Sequence, residues 1–183
     1  IAGWGDAAVA VQKVGSQIES ISWMTAEGYA AALNSFVAQN HGAKNTNRIR
    51  EGYRLSMIVM LSWGVFCSLV LIVFPQLIFQ VFIQEAEVLP MGVDYLRILG
   101  VSQLFMCMEI TTAGAFSGLG KTLPPSIVSI TLTGARIPMA ILLGRWLGLN
   151  GVWWAITISS IGKGIVLLGW FLKDMKRAGM PER

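Results

Sequence analysis

Five ionisable residues, Glu19, Glu27, Glu109, Arg136 and Lys163, stand inside stretches that are otherwise apolar. A charge at the centre of a hydrocarbon layer costs at least about 2.5–3.5 kcal/mol, so such groups face a protein interior and pair with one another. Two cations can neutralise only two of the three carboxylates. The remaining carboxylate must take up a proton or hold a cation to be stable there. That is chemistry an ion-coupled carrier can use. Glu27 and Glu109, the deeper acids, are the candidate coupling residues, and Na⁺ at either is the one metal ion expected. Arg136 and Lys163 are candidate embedded ion-pair partners. The competing reading is that all five charges only hold helices together.

Glu19 and Glu27 are eight positions apart, about 80° around a helix, and Trp23 falls between them. A polar stripe with an indole would suit aromatic or cationic compounds through cation–π contact. Packing accounts for the same Trp equally well. Asn34 and Gln39 follow on the same stretch and either contact a substrate or cap the turn at 42–47. The candidate cavity residues are therefore Glu19, Trp23, Asn34 and Gln39.

Other chemistries find little support. His41 is the single histidine, and Cys67 and Cys107 form no C-x-x-C pair, so neither a zinc site nor a disulfide framework is expected. The stretch 118–122 (GLGKT) ends like a phosphate-binding loop, but position 115 is Ala where that loop needs Gly, and no strand precedes it. There is no Ser-His-Asp set. An enzyme, an organic cofactor and a nucleic-acid partner are all unexpected.

These residues must be positioned by long apolar elements. Charged residues make up 13% of the 183-residue chain and mean hydropathy is +0.61, whereas soluble domains average about 25% charged. About 20 apolar helical residues cross a bilayer. Five helices are expected, at about 7–40, 49–81, 88–116, 124–143 and 151–172, followed by a basic cytoplasmic tail at 173–183. The fold class is an all-α polytopic membrane bundle with five full transmembrane helices. The first is the most polar, with Gln12, Lys13, Gln17, Glu19 and Glu27, but its small-residue run 28–32 (GYAAA) favours close helix packing. Gly114 and Gly118 form a G-x-x-x-G that suits the same purpose. Pro138 removes a hydrogen bond inside the fourth helix and is expected to kink it.

Orientation follows from the cations. Nine of the fourteen Lys and Arg collect on one side, at Lys44, Arg48, Arg50, Arg54, Lys121, Lys173, Lys176, Arg177 and Arg183. Cytoplasmic loops carry such an excess, so the C-terminus is expected inside, and the net charge of +4 reflects topology. Trp146, Trp153 and Trp154 fit an interfacial belt at the opposite end. The chain opens at Ile1 without Met or a signal peptide, which reads as a fragment of a longer protein.

Four motifs in order carry a family resemblance. Residues 24–45 (MTAEGYAAALNSFVAQNHGAKN) resemble the MATE signature of a small-residue helix ending in G/A-Q-N-x-G-A. Residues 114–125 (GAFSGLGKTLPP) resemble that family's Gly-rich turn, and 136–138 (RIP) and 148–153 (GLNGVW) match in order and spacing. The resemblance implies the C-terminal lobe of a twelve-helix fold, from the loop after the seventh helix onward, in the inner (plasma) membrane. It implies exchange of organic, often cationic, compounds for Na⁺ or H⁺ by alternating access, with no cofactor beyond that ion. The implied partners are the lipid bilayer, the missing N-terminal lobe and a small cationic substrate. In some members acids on the seventh and tenth helices bind the coupling cation, and Glu109 is the acid deep in the tenth. The alternatives are a lipid or polysaccharide flippase of the same superfamily and a structural membrane subunit.

Overall fold

A computed structural model describes residues 4–82, 85 and 88–177. Among them lie seven helices: α1 (Asp6–Gly42), α2 (Thr46–Val73), α3 (Pro75–Gln80), α4 (Leu89–Gly100), α5 (Gln103–Gly118), α6 (Leu123–Leu147) and α7 (Leu149–Arg177). The expected opening loop at 1–3, the acidic connection at 84 and 86–87, and the tail end at 178–183 with Arg183 lie outside the described residues.

The expected helix 49–81 is two helices. Pro75 is the first residue of α3. It has no N–H for the carbonyl four residues back, so α2 stops at Val73. The expected helix 88–116 is also divided, since α4 and α5 meet at a bend of 46°. Hydroxyl groups satisfy the carbonyls that the bend frees. Ser68 Oγ donates to Gly100 O at 2.7 Å and Thr157 Oγ1 to Ile98 O at 3.0 Å. A break at membrane depth survives where protein groups re-satisfy the backbone in this way. By contrast, α6 runs through Pro138 as one helix, and α7 continues to Arg177, five residues into the expected tail.

The five expected helical segments correspond to α1, to α2 with α3, to α4 with α5, to α6 and to α7. By length and apolarity α2, α6 and α7 can each cross a bilayer, and α4 with α5 makes a fourth, bent span. The 37 residues of α1 exceed the length a bilayer needs, but Lys13, Glu19, Glu27 and several amides keep it too polar to qualify with the others. The architecture is an all-α membrane bundle.

At its centre, α5 packs on α1, α2 and α7. The buried stripe of α1 is Ala8, Val11, Gly15, Ile18, Ser22, Ala26, Ala30, Leu33 and Val37, with the three- and four-residue spacing of a single helix face. Ala30 and Val37 meet the two glycines of the G-x-x-x-G. A Cβ on Gly114 would lie 2.7 Å from Ala30 O, and one on Gly118 would lie 2.6 Å from Asn34 O. The opposite side of α5 closes on α7, where a Cβ on Gly164 would be 2.6 Å from Phe105 O. Aromatic layers fill both ends. Tyr95 and Trp153 cross edge to face at 5.2 Å. At the other end Phe171 stacks between Tyr53 and Phe116 at 4.3 and 4.9 Å. In α6, Val128 is the one buried residue and most other apolar side chains are exposed.

Candidate functional site

Small residues on α1 and α5 let the backbones approach, and the polar residues between them open onto one cavity of about 470 Å³. From α1 come Glu27 and, two turns further on the same face, Asn34. From α5 comes Glu109, and from α6 come Ser126 and Ser129. Ala30, Ala31 and Ala113 line the space between. Alanines there leave volume that larger side chains would fill.

The two embedded cations stand behind this surface. Lys163 Nζ on α7 is 3.3 Å from Glu109 Oε1, with the side chains 13% and 18% exposed. Arg136 Nε on α6 donates to Ser159 Oγ at 2.8 Å, and its charge lies within electrostatic reach of Glu109, as does that of Glu27. The cavity lining therefore includes two carboxylates and, among the described residues, no Lys or Arg. The cations offset the acids from outside it. Among the described residues Glu27 makes no ion pair, and it is exposed to the cavity.

Not every candidate converges here. Asn34 does. Trp23 is 48% exposed and outside the cavity lining, and Gln39 is exposed at the far end of α1. Glu19 also lies apart, held by α4 and α5. Gln103 Nε2 donates to Glu19 Oε1 at 3.0 Å, and Tyr95 Oη donates to Oε2 at 3.4 Å. Glu19 is thus held by neutral groups alone, and with Glu27 it is one of two embedded carboxylates outside the Lys163–Glu109 pair. A polar stripe running from Glu19 through Trp23 to Glu27 is not what the fold builds. The 80° between the two acids turns Glu19 toward the bend and Glu27 toward α6. Gln103, Tyr95 and Ser159 were absent from the candidate set. A lone Gln in the apolar run 98–108 was the available signal for the first of them.

The MatE family profile matches residues 1–142 of the chain. The chain is 30% identical over 183 residues to a probable multidrug resistance protein NorM of Thermotoga maritima, covering 95% of this chain and 39% of that protein. It is 22% identical over 165 residues to multidrug and toxin extrusion protein 1 of Homo sapiens, covering 88% of this chain and 29% of that protein. A solved Vibrio cholerae MATE transporter, VcmN in its bent form, superposes with a TM-score of 0.88 at 22% identity, over 96% of this chain and 40% of that one. The chain spans about two fifths of the length of the first of these relatives.

Proposed function

This chain belongs to the MatE family, and from that premise we propose that it is the C-terminal lobe of an exporter of small organic cations, driven by exchange for Na⁺ or H⁺. The observation that carries this reading is the charge on the cavity wall. Glu27 and Glu109 line it, while Lys163 and Arg136 stand behind. A cationic drug-like compound entering the cavity meets the Glu27 carboxylate first. An anionic head group would meet the wrong sign, which disfavours a lipid or polysaccharide flippase.

Exchange follows from competition. A coupling ion and a cationic substrate have the same sign and call on the same carboxylates, so occupancy by one disfavours the other. If the two states of the transporter differ in affinity for the ion, its binding shifts the population and releases substrate on one side. Sites of this kind lie between the repeats of a carrier, near the bilayer midplane. The N-terminal lobe would supply the opposite wall and the bilayer the surroundings. With the nine cationic residues on the cytoplasmic side of the inner (plasma) membrane, the C-terminus faces the cytoplasm.

The test is efflux of a fluorescent organic cation by the full-length transporter in proteoliposomes under an imposed Na⁺ or pH gradient. One of the two gradients is expected to accelerate wild-type efflux, and Glu27→Gln and Glu109→Gln to remove that acceleration. Gradient-driven efflux unchanged in both variants overturns the coupling role. No efflux at all in the wild type favours a structural subunit.

A further inference from the structure

Between α1 and α2 lies a separate pocket of about 220 Å³, which shares no residue with the cavity of Glu27 and Glu109. Its wall is apolar except for Ser22 from α1 and Trp63 and Cys67 from α2. Ile21 and Phe66, both exposed, rim its mouth. Trp63 and Phe66 form one side as a tilted aromatic pair with ring centroids 5.6 Å apart. The uncharged part of α2 runs from Leu55 to Val73, about 28 Å of helix. Trp63 stands beside its middle, so the pocket lies near the centre of the hydrocarbon layer.

Two polar groups in this pocket have no partner. Ser22 is 5% exposed, and its Oγ is buried without a hydrogen bond. Other helical hydroxyls nearby turn back to a carbonyl four residues earlier, as Thr25 does to Ile21 and Ser62 to Ile58. Ser22 does not. The Cys67 and Cys107 thiols stand beside it, but neither reaches hydrogen-bond geometry with Oγ, and sulfur is a weak partner. Trp63 Nε1, which can only donate, is also buried and unpartnered. A buried donor left unpaired is costly, and two of them in one apolar pocket call for an acceptor.

The surroundings narrow what that acceptor is. The pocket wall holds no charged residue, and an ion at this depth is disfavoured. The ester carbonyls of a glycerolipid stay at the interface, about 15 Å away. A carbonyl on a compact apolar body meets both conditions. Its oxygen has two lone pairs for two donors, and a ring suits the aromatic side of the pocket.

We propose that this pocket binds a neutral aromatic carbonyl compound dissolved in the bilayer. The carbonyl oxygen accepts from Ser22 Oγ and Trp63 Nε1, and the ring lies against Trp63 and Phe66. The ligand joins α1 to α2 through one atom. It is uncharged, unlike a compound drawn to Glu27 and Glu109, and its binding does not depend on what the cavity carries.

Benzophenone is a probe of this class that records its own position. Its photoexcited carbonyl takes a hydrogen atom from a neighbouring C–H, and the two resulting radicals join in one C–C bond. The full-length transporter in lipid nanodiscs is irradiated with benzophenone, and adducts are located by peptide mass spectrometry. They are expected within 18–22 and 63–71. Fluorenone is expected to compete, and fluorene, the same skeleton without the oxygen, to compete about fivefold less well, the factor for one hydrogen bond. Ser22→Ala and Trp63→Phe are each expected to lower labelling there by a similar factor and to leave labelling elsewhere unchanged. No adduct in these segments, as when the other lobe covers the pocket, overturns the proposal. So do adducts spread evenly over the apolar surface, which report partition into lipid only. Equal competition by fluorenone and fluorene reduces the pocket to an apolar groove and overturns the proposal too. That comparison uses the wild-type protein, so it decides even where a variant fails to fold.

Discussion

Lys163 and Glu109 pair across the α5–α7 contact at 3.3 Å, each less than one-fifth exposed. The pair sits beside Gly164, whose missing side chain lets α7 approach the Phe105 carbonyl. Close backbone packing therefore sets the distance at which the charges meet. Removing one partner of such a buried pair leaves a charge without compensation, at a cost of about 3–5 kcal/mol, while replacing both by neutral groups is often close to neutral. Lys163→Met and Glu109→Gln are each expected to lower the melting temperature of the full-length transporter in detergent. The double variant is expected to recover most of the loss. A double variant as unstable as the sum of the singles would show that the charges do not interact.

The glycines of the bundle divide into two groups with opposite expectations. At Gly118 a Cβ would meet Asn34 O at 2.6 Å and Val37 Cβ at 2.7 Å, whereas Gly28 and Gly169 have nothing within 4 Å. Overpacking costs about 1–3 kcal/mol, and Gly inside a helix costs about 0.5–1 kcal/mol relative to Ala. Gly118→Ala is thus expected to destabilise, and Gly169→Ala to be neutral or stabilising. Thermal melts of the two variants side by side check the sign. If both shift the same way, the backbone contact at Gly118 is not what limits side-chain size there.

The contrast also shows what could be read from residues alone. The helical class and the packing role of Gly114 and Gly118 depend on local patterns: apolar length and small-residue spacing. The bend at 101–102 does not. The groups that satisfy its carbonyls, Ser68 and Thr157, reach it from α2 and α7, and no window of adjacent residues contains that information. Pro138 is a local signal. It marks a missing backbone hydrogen bond, and α6 continues through it as one element. Site residues divide similarly. Five embedded charges stand out in an apolar sequence, so Glu109 and Lys163 could be matched by sign and depth. Which carboxylates lack a cation depends on tertiary contacts, and neutral partners such as Gln103 and Tyr95 carry no comparable signal.

The hydroxyl caps at the bend lead to a prediction about local stability. Interhelical hydrogen bonds in membrane bundles contribute about 0.6–2 kcal/mol each. Ser68→Ala and Thr157→Val each strip one carbonyl of its partner, at Gly100 and Ile98 respectively. Amide hydrogen exchange around 98–106 is expected to accelerate in both variants and most in the double variant, with exchange in α6 unchanged because α6 shares no such bond. Acceleration spread evenly over the chain would indicate general destabilisation and would remove the special role of these two caps.

Tyr53 and Thr112 allow a sharper test, because their hydrogen bond has one consistent direction. The oxygens are 2.9 Å apart, and the Thr112 hydroxyl already donates to Met108 O at 2.7 Å. Tyr53 is therefore the donor and Thr112 the acceptor. Tyr53→Phe removes a donor and keeps the ring that stacks on Phe171 at 4.3 Å. Thr112 retains its own bond to the backbone, so only a spare acceptor is left without a partner. The expected loss is about 0.5–1.5 kcal/mol, that of a single neutral hydrogen bond. Tyr53→Leu sacrifices the aromatic contact as well and is expected to cost more. Chemical denaturation of the full-length transporter in mixed micelles gives both values. A Tyr53→Phe loss as large as that of Tyr53→Leu would place the energy in the hydroxyl rather than in the packed ring.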